Sequence, residues 1–172
     1  AMPVIHLNGI DINYIDQGSG EPLLLIHNLT SNIDGFAHNI PALAQRYRVI
    51  APDLRGHGRT THCEDDEKAP DFYTFDNIAE DITQLLTHLG IDKFHLFGQA
   101  YWGVSIACSL FNRFPERVRS MIVAATSMIP CDPGEKPYEK LGEVGKQNFL
   151  RMHEQARVEG MMAVYEDRKR SG

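Results

Sequence analysis

The sequence reads as an α/β protein with a mostly parallel sheet, led by an antiparallel hairpin and followed by a helical segment. Three observations carry that reading. Short apolar runs of β character alternate with stretches of helical periodicity as far as residue 124, the pattern of strand–helix–strand crossovers in a parallel sheet. The first two runs are separated only by Asn8-Gly9, a pair suited to a two-residue hairpin turn. From Ser127 the β signal stops.

Each element has its own warrant. Val4 to Leu7 and Ile10 to Ile15 form the hairpin strands around Asn8-Gly9. Pro22 to Ile26 is a continuous apolar run, short enough for a strand buried on both faces. A helical stretch over Phe36 to Gln45 follows, with Pro41 suited to a first helical turn because it lacks an N–H, and Tyr47 to Ala51 is the next strand. Thr74 is an N-cap residue, and Phe75, Ile78, Ile82, Leu85, Leu86 and Leu89 recur at helical spacing until Gly90 ends the run. Phe94 to Phe97, Val104 to Phe114 and Val118 to Ala124 read as strand, helix and strand. These elements define a core over residues 1–126. Residues 127–172 form a separate segment, entered through a Pro- and Gly-rich loop and rich in Phe149, Leu150, Met152, Met161 and Met162.

Composition narrows the function. The net charge of −6 over 172 residues disfavours a nucleic-acid partner. Cys63, Cys108 and Cys131 are odd in number and share no metal-like spacing, which reads as free thiols in a reducing compartment. No stretch is long and apolar enough to span a membrane and the N-terminus has no signal-peptide pattern, so a cytoplasmic location is expected. Ala1 before Met2 reads as an expression remnant. Glu64-Asp65-Asp66-Glu67 reads as a solvated loop, His57 with His62 and Cys63 fits no common zinc spacing, and Gly56 and Gly58 read as turn residues. No metal or cofactor is implied.

Three motifs fall at the ends of predicted strands. Leu24-Leu25-Ile26-His27-Asn28-Leu29 is an apolar strand running into a His-containing loop. Arg48 to Thr60 contains Asp53-Leu54-Arg55-Gly56-His57-Gly58. Phe97-Gly98-Gln99-Ala100-Tyr101-Trp102-Gly103 joins a strand to a helix. In this order they resemble the oxyanion loop, the DLRGHG loop and the GxSxG nucleophile elbow of the α/β-hydrolase superfamily, and Phe114-Pro115-Glu116-Arg117-Val118 is similar to that family's next crossover. The resemblance covers the whole chain but only part of the family's fold. It implies that residues 127–172 are a helical lid, and that the family's later strands, with their acid and histidine, are missing. A sheet ending at Val118 to Ala124 would leave an apolar edge that a C-terminal remainder or another chain must cover.

The resemblance places the nucleophile position at Ala100 and the oxyanion donors at the backbone N–H groups of Leu29 and Tyr101. His27, Asn28 and Trp102 become substrate-binding candidates. Asp132 and His153 are better read as a loop capping residue and a solvated residue than as acid and base. The pattern is broken at three places: alanine replaces the nucleophile, Trp102 stands where the elbow wants a small residue, and Asn28 replaces the glycine that usually follows the histidine. Such clustering marks either engineering or a change of function. The resemblance implies a hydrolase of carboxylic esters, lactones or activated C–C bonds with a small-molecule substrate, inactive or nearly so with alanine at 100. Serine is favoured as the lost nucleophile, because the aspartate-dependent haloalkane dehalogenases and epoxide hydrolases usually carry a proline soon after the histidine–glycine pair. Two alternatives stand beside it: an aspartate enzyme of that kind, and a hydrolase-like protein that only binds ligand.

Overall fold

The computed structural model describes residues 2–65 and 67–124. The chain divides into two units, Ala1–Thr126 and Ser127–Gly172; the expected lid, Asp132, Cys131 and His153 lie outside the described residues. Six strands form one sheet: β1 (Val4–Leu7), β2 (Ile10–Gln17), β3 (Glu21–Ile26), β4 (Tyr47–Pro52), β5 (Phe94–Gln99) and β6 (Val118–Ala124), in the order β1-β2-β4-β3-β5-β6. β2 pairs antiparallel with β1 and β4, whereas β4, β3, β5 and β6 run parallel. The mostly parallel sheet with its leading hairpin is as expected.

The local chemistry explains the elements. Asn8 and Gly9 take φ of 49° and 75°, the two left-handed residues of a type I′ turn, whose twist matches that of the strands it joins. In β3 and β4, Leu24, Ile26 and Ile50 pack on one face with Ile78, Ile82 and Leu85, while Leu23, Leu25, Val49 and Ala51 pack on the other with Ile33, Phe36 and Ile40. This period of two, apolar on both sides, is what a central parallel strand requires.

The helices are α1 (Ile40–Leu43), α2 (Ala69–Phe72), α3 (Phe75–His88) and α4 (Ala100–Arg113), with 3₁₀ turns at Ile33–Phe36 and Pro115–Arg117. α3 begins as expected, the Thr74 hydroxyl accepting from the Asn77 N–H at 3.2 Å. It ends in a Schellman motif, with Gly90 at φ 68° and the Ile91 N–H donating to the Leu86 carbonyl at 2.8 Å. The helix expected over Phe36 to Gln45 is instead broken in two. Asn32 caps the 3₁₀ turn through its side-chain oxygen, and Pro41, lacking an N–H and crowding the preceding turn, starts a new helix and cannot continue an old one. α4 starts at Ala100, one turn before the apolar periodicity at Val104 announces it.

That early start brings strand and helix backbones into contact. A methyl carbon on Gly98 would stand 2.7 Å from the Gly103 carbonyl oxygen, and one on Gly103 would stand 2.7 Å from that of Ile26. Gly9, by contrast, has a left-handed φ, and nothing lies within 4 Å of a methyl there. Gly103→Ala is therefore expected to lower the unfolding free energy by about 1–3 kcal/mol through overpacking, and Gly9→Asn by less than about 1 kcal/mol, since asparagine tolerates this conformation. Urea unfolding of the two variants checks this; equal losses would contradict the close approach.

A candidate active site at the carboxyl edge of the sheet

The three motif segments leave the carboxyl ends of β3, β4 and β5. At the end of β5, Gln99 is extended (φ −101°, ψ 129°), Ala100 turns left-handed at φ 55°, and α4 begins. A residue with a Cβ pays about 1–2 kcal/mol for that conformation. α4 has no side-chain cap at Gln99 and no acidic residue in its first turn, so its own first turn sets no negative charge against the positive end of the dipole beside Ala100. An anion at position 100 would be stabilised there; a methyl group makes no use of it.

Tyr101 is 46 % exposed, and its carbonyl accepts from the Ser105 hydroxyl at 2.8 Å. Trp102 is half-buried and tilts against the Phe75 ring of α3, with centroids 4.8 Å apart. The close approach expected to need a small residue at 102 is made one position later, by Gly103, and the indole packs against the core between α3 and α4. Its buried N–H finds no partner among the described residues, nor does the Gln99 side-chain oxygen.

At the end of β3, His27 is fully buried. Its Nε2 accepts from the Leu54 N–H at 3.0 Å and its Nδ1 lies 2.8 Å from the Asn28 carbonyl. The first contact needs a lone pair and the second a proton, so the neutral ring carries its hydrogen on Nδ1. Burial, reinforced by His57, lowers its pKa from 6.5 to about 4, against the opposing pull of the Asn28 carbonyl and of Asp53. His27 thus serves as a strut between two loops, its ring edge-on to that of His57 at 5.1 Å. The Leu29 N–H, expected as an oxyanion donor, is taken by the Asn28 side-chain oxygen at 2.8 Å. Glycine at that position would have no oxygen to offer.

The loop after β4 is fixed by polar groups whose roles were not evident in the sequence. The buried Asp53 carboxylate accepts from the Ile33 N–H, the Asn13 side-chain amide and the Arg59 N–H at 2.9, 2.7 and 3.0 Å. Gly58 is needed because a methyl there would collide with that carboxylate, and Gly56 because one would meet the Tyr73 ring. His57 places Nε2 2.7 Å from the Leu29 carbonyl and Nδ1 3.0 Å from that of Arg55, tying this loop back to the β3 loop. Burial lowers its pKa as well. Arg55 forms a buried bidentate pair with Asp81 at 2.8 and 2.7 Å. The signal for these ties lay in the DLRGHG run; their partners Asn13, Ile33 and Asp81 are distant in sequence. Among the described residues no three His, Cys, Asp or Glu side chains assemble as a metal set, and no helix is long and apolar enough to cross a membrane.

A mixed sheet with the three motif loops gathered at the carboxyl ends of adjacent strands defines a fold class, and the comparisons bear it out. Residues 21–157 match the family model described as alpha/beta hydrolase fold, and the chain belongs to that family. It is 40 % identical over 101 residues to a soluble epoxide hydrolase of Corynebacterium sp. strain C12, covering 59 % of this chain and 33 % of that protein. It is 32 % identical over 136 residues to epoxide hydrolase 1 of Siraitia grosvenorii, covering 78 % and 42 %, and 33 % identical over 122 residues to haloalkane dehalogenase 2 of Mycobacterium bovis, covering 70 % and 40 %. The crystal structure of an epoxide hydrolase from Vigna radiata superposes with a TM-score of 0.70 at 27 % identity, over 81 % of this chain and 42 % of that one. The chain thus spans less than half the length of these relatives.

The buried neutral His27 ties stability to pH. An unfolded histidine takes its proton near 6.5, the folded one only near 4, so its contribution is complete above 6.5 and is lost as pH falls between those values. The loss amounts to roughly 3 kcal/mol. In urea unfolding from pH 7.5 to 4, the stability gap between the parent and His27→Gln should narrow on acidification; a gap independent of pH would contradict a buried neutral ring.

Proposed function

We propose that the chain carries the nucleophile-side part of a catalytic centre of the epoxide hydrolase and haloalkane dehalogenase kind, with Ala100 at the nucleophile's position and no turnover through it as written. The observation that carries this reading is the left-handed Ala100, held at φ 55° between β5 and α4. Backbone strain at the mouth of a helix is a device for presenting a nucleophile, and a plain strand-to-helix connection would have no use for it. The missing proline after His27 favoured serine at position 100. The relatives named as epoxide hydrolases and a haloalkane dehalogenase move the preference to aspartate.

In that reading a carboxylate at position 100 attacks an electrophilic carbon of a small apolar substrate. The new bond joins carboxylate oxygen to carbon; the bond that breaks is the ring C–O of an epoxide, whose oxygen takes a proton from water and stays on the product as a hydroxyl, or the carbon–halogen bond, whose halogen leaves as halide. The covalent ester is then hydrolysed by water. The N-terminus of α4 stabilises the carboxylate before attack and the developing charge on the ester oxygen during hydrolysis. The reading of residues 127–172 as a helical lid segment belongs to the same proposal.

A second reading is favoured by Asn28. With its side-chain oxygen on the Leu29 N–H, one expected charge-stabilising donor is already satisfied, as suits a hydrolase-shaped protein that binds ligand without converting it. The two readings separate in one experiment. Ala100→Asp is incubated with styrene oxide and with 1-bromohexane, Ala100→Ser with p-nitrophenyl butyrate, and adducts are located by peptide mass spectrometry. The catalytic reading expects a stoichiometric ester at position 100 in the aspartate variant, forming roughly 10³-fold or more faster than any adduct of the parent, since losing a nucleophile costs on that order. An adduct at position 100 in the serine variant alone would restore the serine assignment; no adduct at position 100 in either would leave the binding reading.

A further inference from the structure

At the opposite, amino-terminal end of the same strands lies a second arrangement that position 100 does not use. The Ser120 hydroxyl is 2.7 Å from Nδ1 of His95, and Nε2 of His95 is 3.0 Å from Oε2 of Glu21. The glutamate's other oxygen accepts from Arg119 at 2.8 Å. The His95 bond and the Arg119 charge hold the Glu21 carboxyl below its ordinary range, so it accepts the Nε2 proton and leaves the Nδ1 lone pair for the serine O–H. Nucleophile, base and orienting acid therefore stand in line within hydrogen-bond reach, the requirement for an activated serine.

Two features set this apart from an ordinary cross-strand ion pair. The β5–β6 register slips at this point: Phe94 faces Val118, but His95 faces Ser120, so Arg119 is an extra residue on β6. In regular register His95 would face Arg119. A bulge that re-aims a side chain in this way is common beside active sites. Among the described residues the group is also open to solvent, Ser120 being exposed and His95 partly so. Next along the same face come Phe97, half-buried, and its neighbour Ile122, 56 % exposed, an apolar strip able to hold a short acyl chain. On the other side the Tyr47 ring lies edge-on to His95, centroids 6.0 Å apart.

We propose that Ser120, His95 and Glu21 form a second nucleophilic site that reacts with activated carboxylic esters of short acyl chains. The Ser120 oxygen bonds to the carbonyl carbon as its proton passes to Nδ1 of His95. The ester C–O bond then breaks, the leaving alkoxide takes the proton from His95, and Ser120 is left acylated. Glu21 is a positioning residue, fixing the tautomer. Five residue steps, from His95 along β5 to Ala100, span about 16 Å of strand, so the two sites are independent.

The test needs no change at position 100. The protein is treated with p-nitrophenyl acetate, and separately with a fluorophosphonate probe, and labelled peptides are mapped. One adduct is expected, on Ser120, abolished by Ser120→Ala. His95→Gly should slow labelling about a hundredfold, the scale of a positioned general base, and added imidazole should restore it, a rescue that a merely structural histidine would not show. Glu21→Gln should slow it several-fold with circular dichroism unchanged, and carries the same test should His95→Gly fail to fold. Absence of a Ser120 adduct, or labelling indifferent to both His95 and Glu21, would overturn the proposal.

Discussion

The contact between the end of β5 and the first turn of α4 governs the candidate site. Gly98 and Gly103 let the two backbones approach to where neither position can hold a side chain, and the chain must reverse within the residues between them. Ala100 absorbs that reversal in a left-handed conformation. The cost falls on one residue, and the surrounding packing meets it: Ile106, Ala107 and Leu110 of α4 are buried against the sheet and α3. The helix axis is thereby fixed, with its positive end at position 100.

The loops beside this turn are held by electrostatics of a different kind. None of their principal ties is an exposed ion pair. His27 and His57 brace the β3 and β4 loops through backbone groups, and the Asp53 carboxylate gathers donors from β2, the 3₁₀ turn and its own loop. Buried polar groups satisfied in this manner specify one geometry, because leaving any of them unpaired costs far more than the bond itself contributes. The surroundings of position 100 are thus held in one arrangement. In the proposed reading Ala100 stands where the reactive atom would be, and the Asn28 side-chain oxygen takes the Leu29 N–H that would otherwise face a ligand.

What was legible in the sequence was local. Asn8-Gly9 specified its own turn, Thr74 and Gly90 bounded α3, and the three motifs located the strand ends, because each depends on neighbouring residues. Three features were hidden. The stretch from 36 to 45 has helical spacing, yet Asn32 and Pro41 split it, a contest between capping chemistry and periodicity that spacing alone does not decide. Trp102 occupied the position expected to be small, but the close approach is set by how α4 crosses β3, and only the three-dimensional path gives that duty to Gly103. Glu21, His95 and Ser120 come from three strands scattered along the chain, and their meeting depends on a one-residue slip in register that no linear pattern records.

The central claim is that position 100 still carries the backbone conformation of a presented nucleophile. The sign of one stability change tests it. A left-handed conformation costs a residue with a Cβ about 1–2 kcal/mol, and glycine's greater chain entropy costs about 0.5–1 kcal/mol, so Ala100→Gly should stabilise the protein, raising its urea midpoint at an unchanged denaturant slope. Were Ala100 an ordinary residue of a helical first turn, the same substitution would lower the unfolding free energy by the usual penalty for glycine in a helix, about 0.5–1 kcal/mol, and the midpoint with it. A lowered midpoint would contradict the claim.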